Sequence, residues 1–174
     1  MNGVDGLAGL RERLERLESE SAIRTLMAQY FDLCDRLGDA TPADALGMLF
    51  TADAVWAGTG TRYAEAFGEH RGRDAIVAML DTYRGPPPHF AMNAHFLANE
   101  RIAVDGDRAS GSWLMLQTSS YAAGGADLRA ARLQIAFERS SERWRIRRLE
   151  TQRLFGRQID TWDDAAPIPV PGTT

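Results

Sequence analysis

The stretch NAHFLANERIAVDGDRASGSWLMLQTSSY, Asn93 to Tyr121, decides the fold. Two runs holding β-branched and aromatic residues flank Asp105-Gly106-Asp107, a tripeptide suited to a tight hairpin. The pattern then repeats downstream. Strands are predicted over Asn93–Val104, Arg108–Tyr121, Asp127–Arg139 and Arg143–Phe155, joined by the Asp-Gly-Asp turn, a loop around Gly124 and Gly125, and Ser-Ser-Glu. Four strands linked by short turns make an antiparallel meander.

Upstream, the apolar spacing becomes helical. Leu10, Leu14 and Leu17 open a face that Ile23, Met27, Tyr30, Phe31 and Cys34 continue towards Leu37, with Gly38 placed to stop the helix. Ser19 and Ser21 are expected to interrupt it, and the charged run LRERLERLE before them reads as an arm that packs on a neighbouring subunit. A second helix is predicted from Pro42 to Phe50 with Thr41 as its cap, then a strand over Ala52–Gly58, a loop from Thr59 to His70, and a third helix from Gly72 to Tyr83 ended by Gly85 and Pro86–Pro88. Helices followed by a meander give the α+β class, with the helices packed on one face of a curved, mostly antiparallel sheet. The expected division is an arm over residues 1–20, one domain over 21–158 and a Pro-rich tail over 159–174.

Composition narrows the partners. A net charge of −4 offers no basic excess for a nucleic-acid backbone or an anionic membrane. There is no apolar run of the ~18 residues that a membrane span needs, and Met1 to Gly9 lacks the regions of a signal peptide. Cys34 is the only cysteine, which suits a reducing compartment, so a cytoplasmic location is expected. Glycine-rich phosphate loops, Cys-x-x-Cys pairs, zinc-spaced ligands and a Gly-x-Ser-x-Gly elbow are absent from the sequence. By elimination, a catalyst built on this chain would use acid–base chemistry with no cofactor and no metal.

Two side chains stand out for such chemistry. On a helical wheel Asp35 falls about 80° from Met27, at the border of the apolar arc, while Asp32 and Arg36 lie on the polar side. A carboxylate near a helix C-terminus opposes the helix dipole, which suggests a partner that needs it; the plainer reading is a solvated border residue. His95 lies inside a predicted strand and could act as a base if a carboxylate held its second ring nitrogen; the plainer reading is a satisfied core histidine. Tyr30 presents a phenol from the same helix as Asp35, about 140° away around the axis, so the two would flank a pocket. Trp56, Asn99, Trp113, Met115 and Arg147 are candidates for contact with a substrate. His70, between Glu69 and Arg71, and His89, after three prolines, are weaker candidates.

Five motifs in order, AIRTLMAQYFDLCDRLGD, LFTADAVW, HRGRDAI, AHFLANERIAVDGDRASGSW and ERWRIRR, resemble the SnoaL-like branch of the nuclear-transport-factor-2-like superfamily, from about Ile23 to Arg153. The resemblance implies a cone-shaped barrel with a deep apolar pocket. In the dehydratases and the dehydrochlorinase of that branch, an Asp near the end of the long helix pairs with a His on a sheet strand. Asp35 and His95 match those positions, and Tyr30 matches a tyrosine that several of the dehydratases carry. There are two departures. Trp113 stands where scytalone-dehydratase-like members place a second pocket histidine, and Leu149 stands where an inward arginine is common.

Two functions follow as expectations. One is a dehydratase, isomerase or cyclase acting without cofactor on an apolar ring compound such as a polyketide, steroid or terpenoid. The other is a non-catalytic module of the same fold that binds a hydrophobic ligand or a protein. The second requires Asp35 and His95 beyond hydrogen-bond reach, or a pocket plugged by a side chain such as Trp113. An open sheet face would favour a homodimer or homotrimer.

Overall fold

The computed structural model describes residues 3–38 and 43–162. Its elements are α1 (Gly3–Asp35), α2 (Ala43–Gly47), β1 (Phe50–Thr59), α3 (Gly60–Phe67), β2 (Glu69–Arg71), α4 (Arg73–Asp81), β3 (Phe90–Asp105), β4 (Arg108–Tyr121), β5 (Ala126–Ser140) and β6 (Arg143–Ile159). The sheet order is β2-β1-β6-β5-β4-β3. Only the β1–β6 pairing is parallel; the other pairings are antiparallel. The α+β class and the cone stand, but the sheet is open rather than closed into a barrel, because β2 and β3 are its two edges.

Helix α1 runs unbroken through Ser19 and Ser21. Serine costs only a few tenths of a kcal/mol in a helix, too little to break one flanked by Leu, Glu and Arg. Ser19 is instead where the helix meets the body: it is buried, whereas the side chains of residues 6–18 are exposed. From there Ile23, Met27, Tyr30, Phe31 and Cys34 face inward, and the helix packs on β3 and β6. The expected cap at Thr41 and Pro42, and the tail beyond Trp162, lie outside the described residues.

The segment expected to be a loop from Thr59 to His70 contains α3 and the short strand β2, which pairs with β1 through Trp56 and His70. Tyr63 and Phe67, four residues apart, turn one face of α3 onto the core. A β-carbon on Gly58 would stand 2.1 Å from the Tyr63 carbonyl oxygen, so glycine is what lets α3 lie this close to β1.

The core lies between α1 and the concave face of the sheet. Ile23, Met27, Phe50, Leu133, Phe137, Ile146 and Leu149 are fully enclosed, each burial worth about 1.5–3 kcal/mol. Of the register shifts in the sheet, two move residues singled out from the sequence. In β3, Asn99 and Glu100 together oppose Trp113, and Asn99 takes a positive φ of 52°. In β6, Arg147 is an extra residue between the Phe137–Ile146 and Ala136–Arg148 pairs. No helix among the described residues is long and apolar enough to cross a membrane.

Candidate active site

Asp35 is the last residue of α1, and His95 lies near the start of β3. One carboxylate oxygen, Oδ1, meets His95 Nδ1 at 2.5 Å, and the other, Oδ2, accepts the His95 main-chain N–H at 3.0 Å. The two contacts tie the helix end to the strand and hold the imidazole in one orientation. With Nδ1–H donated to a carboxylate, a neutral ring keeps its free lone pair on Nε2. The imidazole is 9% exposed and packs against Phe31, with ring centroids 4.7 Å apart. The dipole cost to Asp35 at the helix C-terminus is offset by these two donors.

His95 lines a cavity of about 260 Å³. A cavity of ~150 Å³ can hold benzene, so this one has room for a compound of one or two rings. Tyr30, Phe31 and Cys34 of α1 form one wall, with Trp56, Tyr63 and Phe67 beside them. Met79, Leu80 and Tyr83 come from α4 and the turn after it, and Met115, Leu133 and Leu149 from the sheet. The Tyr30 oxygen accepts a hydrogen bond from Trp56 Nε1 at 3.1 Å. Burial pushes the Tyr30 phenol well above its usual range, so it stays protonated and keeps a proton to donate. Burial likewise pushes the Cys34 thiol up to about 12, which leaves it a neutral wall group.

The polar part of the wall is laid out by strand register. His95, Gln117 and Arg129 are successive partners across β3, β4 and β5; Asn93, Ser119 and Asp127 form the adjacent row. Because strand side chains alternate, all six share the concave face. Gln117 Nε2 donates to Asn93 Oδ1 at 2.9 Å and to Ser119 Oγ at 3.2 Å, and Ser119 Oγ donates to Asn93 Oδ1 at 2.8 Å. Arg129 Nε reaches Asp127 at 2.5 Å, its Nη2 donates to the Tyr121 oxygen at 2.7 Å, and the Tyr121 hydroxyl donates to Asp127 at 2.7 Å. Burial, and then its bond to Asp127, push the Tyr121 phenol up to about 12.

Of the residues singled out from the sequence, Tyr30, His95, Trp56 and Met115 line this cavity, and Asp35 stands behind His95. Three others do not line it. Asn99 is exposed at the β3 bulge, and Arg147, extruded at the β6 bulge, pairs with Glu138 on the surface at 3.4 Å. Trp113 is core: it packs edge-on against Phe137 and donates to Glu100 at 3.3 Å. His70 donates to the Phe67 carbonyl at 2.9 Å, whereas His89 reaches the cavity mouth among Tyr83, Phe90 and Tyr121. Asn93, Gln117 and Arg129 were not expected. Their signal is period two: Asn93 is two residues before His95, hence on the same face. Neither geometry required by the binding-module alternative is present, since Asp35 and His95 touch and Trp113 does not fill the cavity. No group of three or more His, Cys, Asp or Glu among the described residues is arranged to hold a metal.

Several solved structures share this architecture. An NTF2-like protein with a cystatin-like fold from Novosphingobium aromaticivorans is 28% identical, with a TM-score of 0.68, over 87% of this chain and 92% of its own. A type 2 hexachlorocyclohexane dehydrochlorinase, LinA, is 20% identical, with a TM-score of 0.71, over 92% of this chain and 99% of its own. A candidate scytalone dehydratase from Novosphingobium aromaticivorans is 19% identical, with a TM-score of 0.69, over 91% and 97%. No curated protein matches the sequence significantly. The SnoaL-like domain model matches residues 15–150, from the arm through α1 and the meander to the middle of β6, and the chain belongs to that family within the NTF2-like superfamily.

Proposed function

We propose that this protein is a cofactor-independent acid–base enzyme, a dehydratase, isomerase or cyclase, acting on an apolar compound of one or two rings, such as a small polyketide or terpenoid. The observation that carries this reading is the doubly held Asp35–His95 pair at the wall of an apolar cavity. His95 Nε2 takes a proton from carbon next to a carbonyl. Asp35 fixes the tautomer and stabilises the imidazolium that forms. Tyr30 donates to the departing hydroxyl or to the developing enolate. A base so placed contributes ~10²–10⁴-fold to rate. That fold relatives are named as a dehydrochlorinase and a candidate dehydratase, both elimination enzymes, agrees with this chemistry.

The test is a panel of cyclic ketones and β-hydroxyketones followed by mass spectrometry, with His95→Ala as the control. Turnover by the wild type that falls at least ~100-fold in His95→Ala is expected. Full turnover in His95→Ala excludes the mechanism.

We further propose a homodimer or homotrimer. Leu7, Leu10, Leu14 and Leu17 form an exposed stripe along the free part of α1, and Phe96, Leu116 and Phe155 form an exposed row across the outer sheet face. A monomer by light scattering at high concentration contradicts this.

A further inference from the structure

The proposed base has a neighbour to which no role has yet been given. Asn93 precedes His95 by two residues on β3, so their α-carbons stand about 7 Å apart on one face of the sheet. Asn93 is 9% exposed, and what exposure it has is to the cavity. Its carboxamide oxygen is fully committed, accepting from Gln117 Nε2 at 2.9 Å and from Ser119 Oγ at 2.8 Å. An amide oxygen has two lone pairs, and both are used. The Asn93 amino group therefore faces away from Gln117 and Ser119, and it finds no acceptor among the described residues. Open to the cavity, without a protein acceptor and with its orientation fixed by the committed oxygen, that amino group suits a ligand that accepts from it. Arg129, two strands from His95, is held by Asp127 and Tyr121, which makes Asn93 the donor nearest the base along its own strand.

We propose that Asn93, oriented by Gln117 and Ser119, donates to the carbonyl oxygen of the substrate, and that the site therefore takes ring ketones in preference to ring hydrocarbons or halocarbons of the same shape. The inference rests on His95 acting as the base. When His95 Nε2 removes the α-proton, the C–H electron pair forms a carbon–carbon double bond and the carbonyl π pair moves onto oxygen. The products are an enolate and an imidazolium. The carbonyl then re-forms and the imidazolium returns the proton: to the γ-carbon of the dienolate where the ketone carries a β,γ double bond, an isomerisation, or to a β-hydroxyl whose C–O bond breaks as the α,β double bond forms, an elimination of water. Charge and atoms balance without an oxidant or a second reactant. A fixed neutral donor at the oxygen is worth most when the charge appears there, because it needs no reorganisation. Hexachlorocyclohexane, named with one of the fold relatives, has no oxygen to receive such a donor, so this chain's site is expected to favour a ketone over a halocarbon of that shape.

The test is equilibrium binding of 1-indanone and of indane, equal in shape but for one carbonyl, to the full-length protein by calorimetry. The infrared carbonyl stretch of bound, carbon-13-labelled indanone is the second readout. The wild type is expected to bind indanone about 5- to 10-fold more tightly than indane and to lower its carbonyl frequency. Asn93→Leu is expected to abolish both effects while leaving indane affinity within about 2-fold. Should Asn93→Leu fail to fold, Asn93→Asp replaces the donor with an acceptor and is expected to bind indane the more tightly. No preference in the wild type, or a preference and frequency shift that survive in the Asn93 variant, overturns the proposal. The readout is binding, so the two readings fail separately: full turnover by His95→Ala removes the base, while an indanone preference kept without Asn93 removes the donor.

Discussion

Asp35 grips His95 at two points, the ring Nδ1 at 2.5 Å and the main-chain N–H at 3.0 Å. One carboxylate thus sets both the orientation of the imidazole and the position of the strand that carries it. Asp35→Asn keeps the size of the side chain but not its charge, and its amide can stabilise the wrong tautomer. Turnover is expected to fall ~10²–10⁴-fold, with little change in the affinity for a non-reacting ligand. Steady-state kinetics beside calorimetry checks this.

The phenols predict alkaline behaviour. Tyr30, Tyr63, Tyr83 and Tyr121, all the tyrosines of the chain, are shifted upward in the fold, chiefly by burial. The native state therefore holds their protons at pH values where the unfolded chain, with phenols near ~10, has lost them. Their stabilising contribution is complete below about pH 10 and declines as pH rises from there through the folded values, about 12 for Tyr121. Tyrosinate absorbance should lag behind that of the urea-unfolded chain across this range. Coincident titration curves would contradict the burial of these rings.

Tyr30→Phe removes the acceptor for the Trp56 indole N–H, leaving a buried donor without a partner. A loss of about 1–3 kcal/mol in urea unfolding is expected, beyond any effect on turnover.

Gly58→Ala drives a β-carbon into the Tyr63 carbonyl, a backbone atom that cannot swing aside. The expected cost is about 3 kcal/mol, seen as a lowered Tm, together with weaker binding of small ring compounds as Tyr63 and Phe67 shift.

Asn99→Ala and Arg147→Ala serve as contrasts. Both residues are exposed at bulges outside the cavity, and the Arg147–Glu138 pair is a surface contact. Unchanged turnover is expected for both; Arg147→Ala should stay within about 0.5 kcal/mol of wild type, whereas Asn99→Ala should lose about 1 kcal/mol because alanine replaces asparagine at a positive φ.

These two residues also mark where the sequence stops being legible. Alternation along a strand tells inside from outside only while the register is unbroken, and one inserted residue at Asn99 or Arg147 cancels it. Trp113 shows a second limit. It does point inward, yet it packs on Phe137 in the core, and alternation alone does not decide which inward residues meet core and which meet cavity. The meander was readable because hairpin turns and period-two runs are local. The inward bias of Asp35 was readable for the same reason, from the helical period. Its pairing with His95, 60 residues away, was not local and came only from family resemblance. Helix α3 does carry an apolar face, Tyr63 and Phe67, but two turns opening with Gly60 and closing at Gly68 are too short to tell a helix from a loop by sequence.

In the proposed mechanism His95, held by Asp35, is a base at the cavity wall. Hydrogen–deuterium exchange at the α-carbon of 1-indanone in heavy water tests it most directly, since it needs no knowledge of the natural substrate. The wild type should accelerate this exchange at least ~100-fold over His95→Ala, with Asp35→Asn close to the latter. Equal exchange rates with wild type and His95→Ala, at concentrations where both bind indanone, would contradict it.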